Sequence, residues 1–293
     1  MKIGLLGFGE VGRRFAADLH AADATRELEV FDLIFHRAAD GEEMRRQATA
    51  HGVVPVSDAA ALGTCDLLFS AVTADQALAA ARSVATSPLR NGLFVDLNSA
   101  APATKIECAA VIAAAGGRYV EAAVMASVPP HGIRVPMLLG GTHAPVAEEL
   151  LTSLGFAART VSTDLGVASA IKLCRSVIIK GLESLVVESF TAARAFGVET
   201  QVLESLSETY PQLDWERQGD HLFARMIQHG RRRAEEMRAS AAMIDSCGVG
   251  GTMAAAAARR QQAMADRRDA GAFADPAQVK PWRERADESG RGT

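Results

Sequence analysis

Cysteine is scarce and scattered in this chain. The four cysteines among its 293 residues (Cys65, Cys108, Cys174 and Cys247) show neither C-x-x-C pairing nor alternation with histidine. No zinc site or disulfide framework is indicated, and a reducing cytoplasm is the expected compartment. Long hydrophobic runs are missing too. None reaches the roughly 18 residues needed to span a bilayer, and the first residues read as a strand rather than a leader, so neither membrane insertion nor secretion is expected. Nor is there an excess of charge of one sign. A formal net charge of −4 offers nucleic acid no general attraction. The one basic triplet, Arg231-Arg232-Arg233, reads either as a solvated helix face or as an anion site. What remains is an ordinary globular composition, 48% hydrophobic and 23% charged, long enough for two domains.

The most informative segment is residues 2–12, KIGLLGFGEVG. Ile3, Leu5 and Leu6 suit a buried parallel strand, and Val11, Phe15, Leu19 and Ala22 recur at helical spacing. Between them stands Gly7-Phe8-Gly9-Glu10-Val11-Gly12, a dinucleotide cradle. Its glycines allow a sharp turn at Gly7, pyrophosphate against bare backbone at Gly9, and close packing of helix on strand at Gly12. Phosphate charge would rest on the free N–H groups at the helix N-terminus. Asp32, at the end of the second strand, accepts from ribose hydroxyls and repels a 2′-phosphate, which favours NAD. A strand ending later within 29–35, and Arg37 close enough to meet a phosphate, keep NADP open.

Apolar runs at 2–6, 29–35, 66–72, 93–97, 118–124 and 136–139 read as strands, and amphipathic stretches at 42–50, 75–85, 103–115 and 144–154 as helices. This is the pattern of a mostly parallel, doubly wound α/β sheet of Rossmann type. After a last strand at 156–161 the remainder is helical. The expected division is therefore a nucleotide-binding domain at 1–163 and an all-helical substrate and dimerisation domain at 164–293. A long helix capped by Asp164 and running to Gly197, about 45 Å at 1.5 Å per residue, opens the second half. Such a rod suggests a bridge between domains or a dimer interface. Further helices are expected at 200–207, 219–229, 231–246 and 252–268, and the polar segment 281–293 is expected to fray.

A nucleotide cradle does not specify a reaction. Three other segments point to the chemistry. Asp96-Leu97-Asn98-Ser99-Ala-Ala-Pro102 puts an amide and a hydroxyl at the carboxyl edge of the sheet, where Asn98 and Ser99 are either ligand contacts or an Asx turn and a helix cap. The loop and strand at 125–141 offer Ser127 and His131. Residues 166–176, inside the long helix, contain Lys172. A half-buried amine there loses solvation, so its pKa falls from about 10.4 and it can exchange a proton with a substrate hydroxyl. Helix position alone favours a lysine that snorkels to the surface.

These residues together resemble the β-hydroxyacid dehydrogenases, which include 3-hydroxyisobutyrate and 6-phosphogluconate dehydrogenases, over nearly the whole chain. GFGEVG resembles the family's cofactor motif, DLNSAAP its D-x-S-T-x-x-P segment, and residues 166–172 its G-x-G-x-x-x-K motif. The C-terminal half, with RSVIIKGLESLVVES and HGRRRAEEM, resembles a subgroup whose helical domain is labelled as of unknown function. The resemblance implies hydride transfer between a nicotinamide and a small hydroxy acid or related alcohol. It implies Lys172 as general acid and base, Asn98, Ser99, Ser127 and Ser176 as substrate contacts, and Val72, Thr73 and Asn98 beside the cofactor.

Two departures matter. Ser176 replaces the asparagine four residues after the lysine, and Met125-Ala126-Ser127 replaces S-G-G at the carboxylate site. Arg175, Lys180, His131 and the 231–233 cluster are candidate replacements for recognising an anionic substrate. An imine reductase, in which Asp or Tyr commonly replaces the lysine, and an inactive NAD(P)-binding sensor or scaffold are the competing readings. A homodimer is expected, with no nucleic acid or membrane partner.

Overall fold

In the first strand Ile3, Leu5 and Leu6 are each at most 3% exposed. A strand covered on both faces needs parallel neighbours linked by crossover helices, and that is what the chain builds. In this computed structural model, which describes residues 1–37 and 39–290, eight strands form one sheet: β1 (Lys2–Leu6), β2 (Glu27–Phe31), β3 (Val54–Pro55), β4 (Leu67–Ser70), β5 (Leu93–Asp96), β6 (Arg118–Val124), β7 (Met137–Gly140) and β8 (Ala158–Ser162). Their order is β3-β2-β1-β4-β5-β6-β7-β8. Among the described residues only β6 and β7 pair antiparallel. The expected mostly parallel, doubly wound sheet is therefore present. The helices between the strands are α1 (Glu10–Ala22), α2 (Gly41–Ala50), α3 (Ala77–Val84), α4 (Pro102–Ala114), the single turn α5 (Val128–His131) and α6 (Ala144–Ser153). Because β1 lies between β2 and β4, the chain leaves it in opposite directions, opening a crevice at the carboxyl ends of β1 and β4.

The remaining helices are α7 (Val167–Phe196), α8 (Glu199–Thr209), α9 (Trp215–Ser246), α10 (Thr252–Asp269) and α11 (Trp282–Gly290). The chain divides into two compact units, Met1–Lys172 and Leu173–Thr293. The first has a core in which Phe69 and Phe156 stack and Phe15 meets both edge-on, with ring centroids 5.1 to 5.7 Å apart. The second packs Phe190, Phe223, Met226, Ile227 and Trp282 around α9.

Several expectations are corrected by local chemistry. The strand expected over 29–35 ends at Phe31, because the Asp32 carboxylate accepts the Ile34 N–H at 2.9 Å and turns the chain into a 3₁₀ segment. Asp164 does not cap the long helix, which starts at Val167 after a left-handed Gly166 (φ +90°). Residues 219–246 are not two helices broken near Gly230 but part of a continuous α9. Gly230 is a contact point there, since a Cβ would lie 2.6 Å from the Gln261 carbonyl oxygen of α10. Residues 282–290 are a helix rather than a loose tail. Trp282 is 1% exposed, and its indole N–H donates to Glu216 at 2.8 Å while its backbone N–H donates to Asp220 at 2.7 Å. The last three residues of the expected tail lie outside the described residues.

Candidate functional site

The three glycines of the first turn have different physical reasons. Gly7 takes φ +101°, and a Cβ there would meet the Ala71 carbonyl oxygen at 2.4 Å. At Gly12 a Cβ would lie 2.2 Å from the Gly7 oxygen, so α1 packs directly on the turn. Gly9 meets nothing within 4 Å, and it stands at the N-cap of α1, where no side chain accepts the helix N–H groups. Open space in front of unpaired donors suits a pyrophosphate at Gly9, Glu10 and Val11. Glu10 is exposed and Val11 half-buried. Phe8 does not present its side chain, which is fully buried, and its N–H donates to Asp32 at 2.7 Å. With Phe8 and Ile34 on its two oxygens, the Asp32 carboxylate is fixed beside the cradle.

A second set of contacts ties the carboxyl ends of β4 and β5 together. Asn98 accepts the Val72 N–H at 2.7 Å through Oδ1 and donates to Ser70 Oγ at 3.0 Å through Nδ2. One amide hydrogen and one lone pair are left for a ligand. Thr73 follows on the exposed rim. Beneath Asn98 lies a buried cluster absent from the sequence reading. Asp96 accepts the Asn98 N–H at 2.9 Å, the Tyr119 hydroxyl at 2.6 Å and the Lys105 ammonium at 2.9 Å, with Asp96 and Lys105 each 1% exposed. Burial, then the neighbouring Asp96 charge, pushes the Tyr119 phenol well above its ordinary range.

The start of α7 completes the site within the first unit. Gly166 lies against Pro102, where a Cβ would come within 2.9 Å of the proline Cβ, so the first turn of α7 meets the segment that carries Asn98 and Ser99. Lys172 Nζ donates to Ser99 Oγ at 2.6 Å. What anchors this end of α7 is Glu121, in the middle of β6 and fully buried. Its carboxylate accepts the Ala168 N–H at 3.1 Å, the Ser169 N–H at 3.3 Å and the Ser169 hydroxyl at 2.5 Å. A carboxylate on the free N–H groups of a helix also favours the positive end of its dipole. The signal was legible: an acid flanked by Val120 and Ala122 in a strand buried on both faces requires a partner.

Cradle, Asp32, Val72, Asn98, Ser99 and Lys172 thus all belong to the first unit. Ser127 is exposed at the N-terminus of α5, where it makes no cap bond, and His131 is exposed nearby. Ser176 belongs to the second unit, and its hydroxyl accepts from Lys180 at 3.0 Å. Of the other anion candidates, Arg175 is exposed, Arg231 is paired with Asp269, and Arg233 is buried on Glu183.

Known proteins share this fold. Residues 193–264 match the family model described as a domain of unknown function, DUF1932. A conserved hypothetical protein of Sinorhizobium meliloti 1021 is 35% identical, with 99% of this chain and 96% of that one covered and a TM-score of 0.80. A conserved protein of unknown function, reported to be structurally similar to 3-hydroxyacid dehydrogenases, is 30% identical over 92% of this chain and 99% of that one, TM-score 0.72. The fold also matches Mycobacterium tuberculosis 3-hydroxyisobutyrate dehydrogenase, solved with L-serine, at 15% identity over 99% of both chains, TM-score 0.72. The chain belongs to the 3-hydroxyisobutyrate dehydrogenase-like proteins of the β-hydroxyacid dehydrogenase family, in the group whose C-terminal helical region is DUF1932.

Proposed function

We propose that this protein is an NAD(P)-dependent oxidoreductase acting on the CH–OH group of a small, anionic hydroxy acid or related alcohol, with Lys172 as the proton carrier. The observation that carries this reading is the 2.6 Å contact between Lys172 Nζ and Ser99 Oγ in the unit that also holds the glycine cradle. A nicotinamide cofactor, when bound, supplies the hydride acceptor. Gly9, Glu10 and Val11 would hold its pyrophosphate, and Asp32 its adenosine ribose. Lys172 takes the substrate hydroxyl proton in oxidation and returns it in reduction. Ser99 aims the amine, and the remaining hydrogen-bond capacity of Asn98 orients the substrate or the carboxamide edge of the cofactor. The fixed negative charge of Asp32 disfavours a 2′-phosphate, which supports NAD over NADP. The amine at position 172 argues against imine reduction, where Asp or Tyr commonly stands.

The test is a cofactor-reduction screen with 2- and 3-hydroxy acids and aromatic alcohols, using both NAD and NADP. At least one compound is expected to reduce NAD faster than NADP. Tight NADH binding with no turnover across the panel would replace this reading with a sensor or scaffold, for which the engagement of Ser176 by Lys180 is the supporting observation.

A homodimer is part of the proposal. Ile178, Leu182 and Leu185 stand at i, i+4 and i+7 of α7 and are 71%, 40% and 56% exposed. An apolar stripe of this kind on a long helix suits pairing across a two-fold axis. Sedimentation is expected at twice the chain mass, and a monomer at micromolar concentration would refute it.

A further inference from the structure

One face of α9 gathers positive charge from several side chains. Arg225, His229 and Arg232 stand at i, i+4 and i+7 of α9, the spacing that aligns side chains on one helix face. The carboxylates near them are already engaged. Glu183 accepts Arg233 at 2.6 and 2.8 Å and Gln261 at 2.9 Å. Glu236 holds Lys180 at 2.5 Å, which leaves Arg232 at a loose 3.9 Å. Arg225 and His229 are half-buried, and among the described residues neither has an ion-pair or hydrogen-bond partner. Arg233, 4% exposed, keeps a buried Nε without a partner. Arg268 of α10 reaches the same place, donating to the Ile227 and Gln228 carbonyls.

A half-buried guanidinium whose neighbouring carboxylates, Glu183 and Glu236, already hold other cations is costly, and the arginines around it add repulsion. Burial first, then these arginines, lower the His229 pKa to about 4, so its ring offers a donor without adding charge. We propose that this face of α9 binds a small multivalent oxyanion of the phosphate class, held by Arg225, His229 and Arg232. A carboxylate satisfies one guanidinium in a bidentate pair, whereas donors from three side chains match an anion with three or more oxygens and more than one charge. The inference stands apart from the oxidoreductase reading. Its source could be free phosphate or the phosphate group of an organic ligand.

The full chain is titrated with inorganic phosphate while the His229 ring is followed by NMR, its signal assigned with His229→Gln. A saturable shift is expected, together with a rise in the His229 pKa from about 4 as the anion offsets the surrounding arginines. Besides Arg225, Arg232 and Arg233 of α9, the charged group acting on that ring is Arg268 of α10. Acetate at equal ionic strength is expected to leave the signal in place. Arg225→Gln should weaken phosphate binding at least about tenfold, while Arg231→Gln, whose guanidinium is engaged by Asp269, keeps wild-type affinity. Should Arg225→Gln not fold, Arg232→Gln, at a side chain 60% exposed, is expected to show the same loss. An unmoved His229 signal, or undiminished affinity in Arg225→Gln or Arg232→Gln, overturns the site. A phosphorylated hydroxy acid binding more tightly than phosphate identifies an organic ligand; equal affinity identifies the free anion.

Discussion

Lys172→Ala is expected to lower turnover by roughly 10²- to 10⁴-fold, the range for a lost acid–base group, while cofactor affinity changes little. The separation follows from geometry. Lys172 donates to Ser99 at the carboxyl edge of the sheet, whereas the cradle is the turn around Gly7, Gly9 and Gly12 at the start of α1. Lys172 is half-buried, and truncating it removes its hydrogen bond to Ser99. Steady-state kinetics on the compound that emerges from the screen, paired with an NADH binding titration, checks both halves. Unchanged turnover would reject the role, and lost cofactor affinity would show that the lysine belongs to the nucleotide site instead. Lys172→Arg separates charge from proton transfer, since a guanidinium keeps the positive charge but does not release a proton near neutral pH.

The second large effect is on stability. Lys105→Met should destabilise the first unit by about 3–5 kcal/mol, because it keeps most of the side-chain volume but removes the cation from a buried pair. Asp96, 1% exposed, would retain only the Tyr119 hydroxyl and the Asn98 N–H as donors to its carboxylate. Adding Asp96→Asn removes the stranded charge, so the double variant should recover much of the loss. Denaturant unfolding of the two variants measures this. A single-variant loss below about 1 kcal/mol would mean that the pair contributes no more than a surface ion pair. The cluster also supports the site, since Asp96 holds the backbone of Asn98, and Asn98 in turn holds Val72.

Much of the fold was legible because it rests on local patterns. The apolar run at Ile3, Leu5 and Leu6, the helical spacing of Phe15 and Leu19, and the glycine turn between them each follow from neighbours within a few residues. The structure places all three as expected. The misreadings share a cause. A strand over 29–35 looked continuous because Leu33, Ile34 and Phe35 are apolar, but one carboxylate at Asp32 turns the backbone. Gly230 looked like a break because glycine weakens an isolated helix, yet α10 passes so close that no side chain fits there. The polar composition of 282–290 hid a tryptophan that fills the second core.

The sequence by itself determined the class of fold, the cradle and the position of the lysine, since each depends on residues close together along the chain. Only the tertiary structure decided which partners complete the site. Glu121 reaches Ala168 across 47 positions, Asp96 meets Tyr119 across 23, and Lys172 finds Ser99 across 73. The physical reason is that a buried charge or donor must be satisfied by whatever the packed sheet and helices bring within about 3 Å, and no local periodicity records that choice.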